Sequence, residues 1–146
     1  MKIIKFLKVK KMIKQIDNSI KVKYGKILEC EPENAVVYIG FNNTELENRT
    51  FRDYVNELQP NCIFNDLLLG ILHEIGHIYT LDEDDETEYL KDTELLNQLY
   101  RNDLISDEQR QYFYLRLPLE SKATKWGLDF TKENEKFCKQ WNKIIF

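Results

Sequence analysis

Two histidines four residues apart, with a glutamate directly after the first, stand at His73, Glu74 and His77. On an α-helix, positions i and i+4 share a face, so the two imidazoles can aim at one cation. Glu74 sits one step round the helix, where it can reach a water held by that cation. The spacing is the H-E-x-x-H arrangement of zinc peptidases, which combines two ligands with a general base. The chain has only two histidines, and both lie in this motif.

Such a pair works only if a helix holds it. The run from Asp66 to Tyr79 predicts that helix, with Leu67, Leu68, Leu69, Ile71, Leu72, Ile75 and Ile78 as apolar flanks. Asn65 or Asp66 is suited to cap its start. Gly76, between the histidines, removes a side chain so that another element can approach closely.

A catalytic zinc takes three protein ligands and keeps one position open. With no third histidine, the remaining ligand must be a carboxylate or, failing that, a cysteine. A metzincin extension is excluded, because its glycine and histidine positions hold Thr80 and Glu83. Glu120 is the better candidate. On a helix it shares a side with Ala123, Thr124 and Gly127, small residues that would let this helix approach Gly76. Glu88, with Asp92 four residues on, is the runner-up, in a segment crowded with carboxylates. Tyr79, Tyr112 and Tyr114 are candidate donors to a substrate carbonyl.

The surrounding pattern predicts an α+β domain. Ile3, Phe6, Val9, Ile13 and Ile16 recur at helical steps. Ile20, Val22 and Tyr24 alternate with lysines as a strand does, and strand character continues through Ile27 and Leu28. Residues 31–34 form a turn, and residues 35–41 form a second strand. The expectation is a small antiparallel sheet, with residues 35–41 as an edge able to bind substrate as an added strand. Helices are predicted over about 51–58, with Thr50 and Asp53 as a capping box, over 86–101, burying Tyr89, Leu95, Leu96, Leu99 and Tyr100, and over 106–115 from a capping box at Ser106 and Gln109. A long helix over about 118–140 follows, with a tail from Trp141 to Phe146 docking on the core. Nothing divides the chain, so residues 1–146 read as one domain.

Composition narrows the function classes. Hydrophobic residues make up 42% and charged residues 32%, an ordinary globular balance. No apolar run approaches the ~20 residues needed to cross a bilayer, so no membrane partner is expected. The lysine-interrupted N-terminus lacks a signal peptide's apolar region. Cys30, Cys62 and Cys138 are widely spaced and odd in number, which speaks against disulfides and for a reducing cytoplasm. The net charge of −4 is unevenly split. Residues 1–28 hold nine Lys and one Asp, while the rest hold twelve Lys/Arg and 24 Asp/Glu. Without interleaved aromatics or a helix-turn-helix pattern, nucleic acid is not the expected partner.

The run Leu72-His73-Glu74-Ile75-Gly76-His77, followed by Glu120-x-x-Ala123-x-x-Trp126, resembles the ImmA/IrrE family of small metallopeptidases. It is also similar to the compact zincins of phages and mobile elements. The resemblance spans about residues 60–130. It implies a zincin-like fold, with zinc held by His73, His77 and Glu120 and with Glu74 as base. It also implies hydrolysis of a specific intracellular protein, such as a transcriptional repressor. Many members carry a helix-turn-helix domain, of which this sequence shows no pattern, and Gly127 stands where alanine is common. The other expectation is a zinc-stabilised interaction module that binds a protein partner without cutting it. Oligomeric state is not readable from the sequence.

Overall fold

The computed structural model describes residues 2–145, so Met1 and Phe146, the last residue of the expected docking tail, lie outside it. The fold is α+β, with seven α-helices and one three-stranded sheet among the described residues. Helix α1 (Lys2–Ile16) leads into β1 (Lys21–Tyr24), β2 (Glu29–Glu31), a short 3-10 turn (Pro32–Asn34) and β3 (Val36–Ile39). Helices α2 (Glu45–Leu58), α3 (Asp66–Tyr79), α4 (Glu83–Arg101), α5 (Asp107–Leu115), α6 (Pro118–Glu133) and α7 (Glu135–Ile145) follow. None of them is long and apolar enough to cross a membrane.

The sheet is mixed, which corrects the antiparallel expectation. β3 lies in the centre, parallel to β1 and antiparallel to β2. Residues 35–41 are therefore not an edge; the strand that borders the histidine helix with an open side is β2. The chain does not continue as strand through Leu28. After Tyr24 it leaves the sheet and crosses the end of β3 at Gly40, where a Cβ would sit 2.2 Å from the backbone of Lys26 and Ile27. The hydrogen bonds Gly25 N–H to Ile39 O (2.9 Å) and Asn42 N–H to Lys26 O (3.1 Å) pin that crossing. It carries the chain to the far side of β3, where β2 forms over residues that no strand is expected to cover and meets the expected turn only at Glu31.

Several helix limits also move. α2 begins at Glu45 because Thr44 Oγ1 accepts from Glu47 N–H (3.1 Å). Thr50, expected as a cap, lies inside this helix with its hydroxyl on the Leu46 carbonyl (2.9 Å). Asp82 caps α4 three residues earlier than expected, by accepting from Asp84 and Asp85 N–H. No α4 residue is fully buried: Tyr89, Leu96 and Leu99 are half-buried, while Leu95 and Tyr100 are exposed. The long C-terminal helix is two. Asn134, at φ −127° and ψ 43°, ends α6, and its side-chain amide donates to the Phe130 carbonyl (3.2 Å). The bend lets Trp141 and Ile145 reach the core, with Trp141 Nε1–H on Gln15 Oε1 (3.1 Å).

The core runs between the sheet and α3. Val9, Met12 and Ile13 of α1, Val37 and Ile39 of β3, and Ile71, Leu72 and Ile75 of α3 have no exposed surface. In α1 the buried stripe is rotated from the expected one: Met12 is in, and Ile3 is out. α3 itself spans the expected residues. Asn65 Oδ1 accepts from Leu67 N–H (2.9 Å), and Arg52 grips Asp66 (2.6 Å) and the Cys62 carbonyl (3.2 Å) just ahead of the helix.

Candidate metal centre

Helices α3 and α6 meet backbone to backbone. A Cβ on Gly76 would lie 2.4 Å from the carbonyl oxygen of Ala123, and one on Gly127 would lie 3.2 Å from Leu72 Cβ. Only glycine allows the first of these approaches. The small residues thus set the helix separation, and that separation brings Glu120 over the histidines.

His73, His77 and Glu120 converge, and all three are at least nine-tenths buried. The two Nε2 atoms are 3.1 Å apart, with Glu120 Oε1 3.2 Å from His73 and Oε2 2.9 Å from His77. A tetrahedral zinc with bonds of ~2.0–2.1 Å places its ligand atoms about 3.3 Å apart. The triangle is close to one face of that tetrahedron.

The hydrogen-bond network decides which imidazole nitrogen is free. Thr124 Oγ1 donates to the Glu120 carbonyl (3.2 Å), so its lone pairs face His73 Nδ1 at 2.8 Å. Nδ1 therefore carries the hydrogen and donates, and Nε2 is left to ligate. A single proton can lie along only one edge of the triangle, whereas a divalent cation at its centre satisfies all three groups. The donor set, two imidazoles and a carboxylate, suits zinc.

Charges in the cluster are strongly coupled. Burial alone would raise the Glu120 carboxyl, but hydrogen bonds and positive charge from His73 and His77 outweigh it and bring it down to about 2. Burial pushes His73 down, and the Glu120 carboxylate more than reverses that. Glu74 is raised, chiefly by burial, against the opposing charge of the two histidines. It faces Cys30 on β2, whose thiol is raised by burial and by the Glu74 carboxylate.

A cleft of about 1080 Å³ opens over the cluster, lined by Cys30 on one side and Tyr89, Tyr114 and Leu119 on the other. The Tyr89 and Tyr114 hydroxyls lie 2.9 Å apart. Burial and the negative charge of Glu120 hold the Tyr114 phenol in its protonated, donating form.

The structure brings together His73, His77 and Glu120, with Glu74 beside them. It leaves Glu88 exposed on α4, 3.9 Å from Lys91, and Glu83 exposed at that helix's first position. Of the three candidate tyrosines, only Tyr114 lines the cleft. Tyr79 stacks on Trp126 at 5.0 Å and donates to Asp17, while Tyr112 lies under the Arg116 guanidinium at 3.5 Å. Sequence reasoning read Thr124 only as a small residue, although its place four after Glu120 puts it on the same helix face. It also read Tyr89 as core, and Cys30 only as one of three widely spaced cysteines. Comparison with known proteins finds no matching family model, no matching curated protein and no matching solved structure, so the functional reading rests on these residues alone.

Proposed function

We propose that this chain is a zinc-dependent endopeptidase with a zincin-like fold, and that its substrate is a protein. The observation that carries the proposal is the convergence of three buried donor atoms beside a glutamate that opens on a cleft. His73, His77 and Glu120 would hold the ion. When bound, zinc supplies Lewis acidity toward water and toward a peptide carbonyl.

The chain's own groups do the rest. Glu74 takes a proton from the attacking water and delivers it to the leaving amine. A structural zinc site has no need of this base, so its presence favours hydrolysis over simple binding. Tyr114 is the donor placed to stabilise the carbonyl oxygen as charge builds there. The substrate lies extended along β2, adding its backbone to the open edge. The resemblance of the motif to ImmA/IrrE peptidases points to a protein regulator as the target.

The test is Glu74→Gln, which keeps shape and removes the base. Proteomes of host cells expressing the wild type and the variant are compared by mass spectrometry of new termini. The expected result is a defined set of cleaved products with the wild type only, at unchanged zinc content. If Glu74→Gln binds zinc and keeps the full biological effect, the peptidase reading fails and a zinc-stabilised binding module replaces it.

A further inference from the structure

The basic N-terminal segment has no role in the chemistry above. Packing decides which side of it faces out. Burial of Val9, Met12 and Ile13 turns Ile3, Ile4 and Leu7 outward, and these are 71%, 58% and 56% exposed. They lie at i, i+1 and i+4, so they share one face of the first two turns. Lys8, Lys10 and Lys11 are exposed around and beyond them, and none forms an ion pair among the described residues. Asp17, the single carboxylate of the first 28 residues, is engaged at the far end by Ser19 and Tyr79. α7 extends the same surface: Ile144 is 40% exposed, and its carbonyl meets Lys8 Nζ at 3.5 Å.

From this we infer that the outer face of α1 docks the protein on the surface of an anionic lipid bilayer. The two halves of the face match the two layers of that partner. Lys8, Lys10 and Lys11, without an ion pair among the described residues, fit a plane of headgroup phosphates and carboxylates. Three protruding branched alkyl side chains fit the acyl boundary just beneath, in the manner of an interfacial helix. Nucleic acid would match the lysines, but it offers nothing to Ile3, Ile4 and Leu7, and exposing such side chains to water is costly. A surface-bound helix face needs no spanning segment, so the shortness of the chain's apolar runs does not oppose it.

The test is co-sedimentation of the full chain with vesicles of phosphatidylcholine, alone or mixed with phosphatidylserine. Binding to the mixed vesicles only, weakened by added salt, is expected. Each basic residue near an anionic surface contributes about fivefold in partitioning, so Lys10→Glu with Lys11→Glu should lower it by about twentyfold or more. Ile3→Ser with Ile4→Ser and Leu7→Ser should lower it about tenfold. All five side chains are exposed, and far-ultraviolet circular dichroism checks that the fold is kept. Ile4→Trp gives an independent reading, since inserted indole is quenched by lipids brominated on the acyl chain. No binding to the mixed vesicles, binding to duplex DNA in their place, or an Ile4→Trp signal untouched by brominated lipid would each overturn the inference.

Discussion

The separation of α3 and α6 is set at one point, and Gly76→Ala tests it. The added methyl would lie 2.4 Å from the Ala123 carbonyl oxygen, about 1 Å short of ordinary contact. Neither partner can yield by a rotamer change, because the methyl is fixed to one backbone and the oxygen belongs to the other. The helices must part. Overpacking costs ~1–3 kcal/mol, and a backbone clash belongs at the upper end. Alanine returns ~1 kcal/mol of helix propensity, so the net loss is about 2 kcal/mol. Glu120 lies one turn before Ala123 and moves with it. A metal–oxygen bond of ~2.0–2.2 Å does not survive a shift near 1 Å, so zinc affinity should fall about 10–100-fold. Urea denaturation measures the first effect, and competition against a chromophoric chelator measures the second. Gly127→Ala is the milder comparison: its methyl would meet Leu72 Cβ at 3.2 Å and the backbone of Leu72 and His73 at 3.3 and 3.4 Å, so both readings should fall less than in Gly76→Ala. If Gly76→Ala is as stable as wild type and binds zinc equally well, close approach at Gly76 is not what places Glu120.

Three more outcomes follow from the same contacts. Thr124→Val keeps the volume but leaves the buried His73 Nδ1–H without an acceptor, which should cost ~1–3 kcal/mol in urea denaturation and weaken zinc binding about 10–100-fold. Zinc content, read by atomic emission after dialysis, should collapse in Glu120→Ala and hold in Glu88→Ala; the reverse would move the third ligand to α4. Hydrogen bonds from Ser19 and then Tyr79 hold the Asp17 carboxyl below its ordinary value of 3.8, and they tie the end of α1 to the end of α3. A depressed carboxyl contributes stability that is present above its unfolded value and lost as pH falls through the folded one. Asp17→Asn should therefore be less stable than wild type near neutrality, with the gap closing below about pH 4, as denaturation at both pH values would show.

What was legible in the chain followed from how local its physics is. α3 was readable to the residue, because a cap at Asn65 and an unbroken apolar run need no distant partner. The place of Glu120 beside the histidines was readable because a two-histidine motif asks for a third donor and because Gly76, Ala123 and Gly127 mark a close helix contact from both sides. The strand order was not. Two adjacent β-rich runs default to a hairpin, and only the passage of residues 25–28 over Gly40 makes β1 and β3 parallel. That contact joins residues more than a dozen positions apart, and β2, three residues long, leaves no alternation to detect. The break at Asn134 was hidden for another reason: Phe130 and Phe137 are seven apart, so the apolar stripe runs through it without losing phase.

The same reasoning separates what α1 displays from what its composition offers. Nine lysines in 28 residues are visible at once, but charge alone does not distinguish a solvated face from a binding one. The apolar residues of α1 lie on nearly all sides, so its pattern admits more than one inward face. The sheet and α7 select Val9, Met12 and Ile13, and that choice forces Ile3, Ile4 and Leu7 outward among the lysines. The outward face is thus set by the core. Val9→Ser would weaken the anchor of α1 without altering the outward face itself, and vesicle binding should then fall only as far as α1 unfolds. That result would separate a docking surface built by tertiary packing from one carried by the peptide alone.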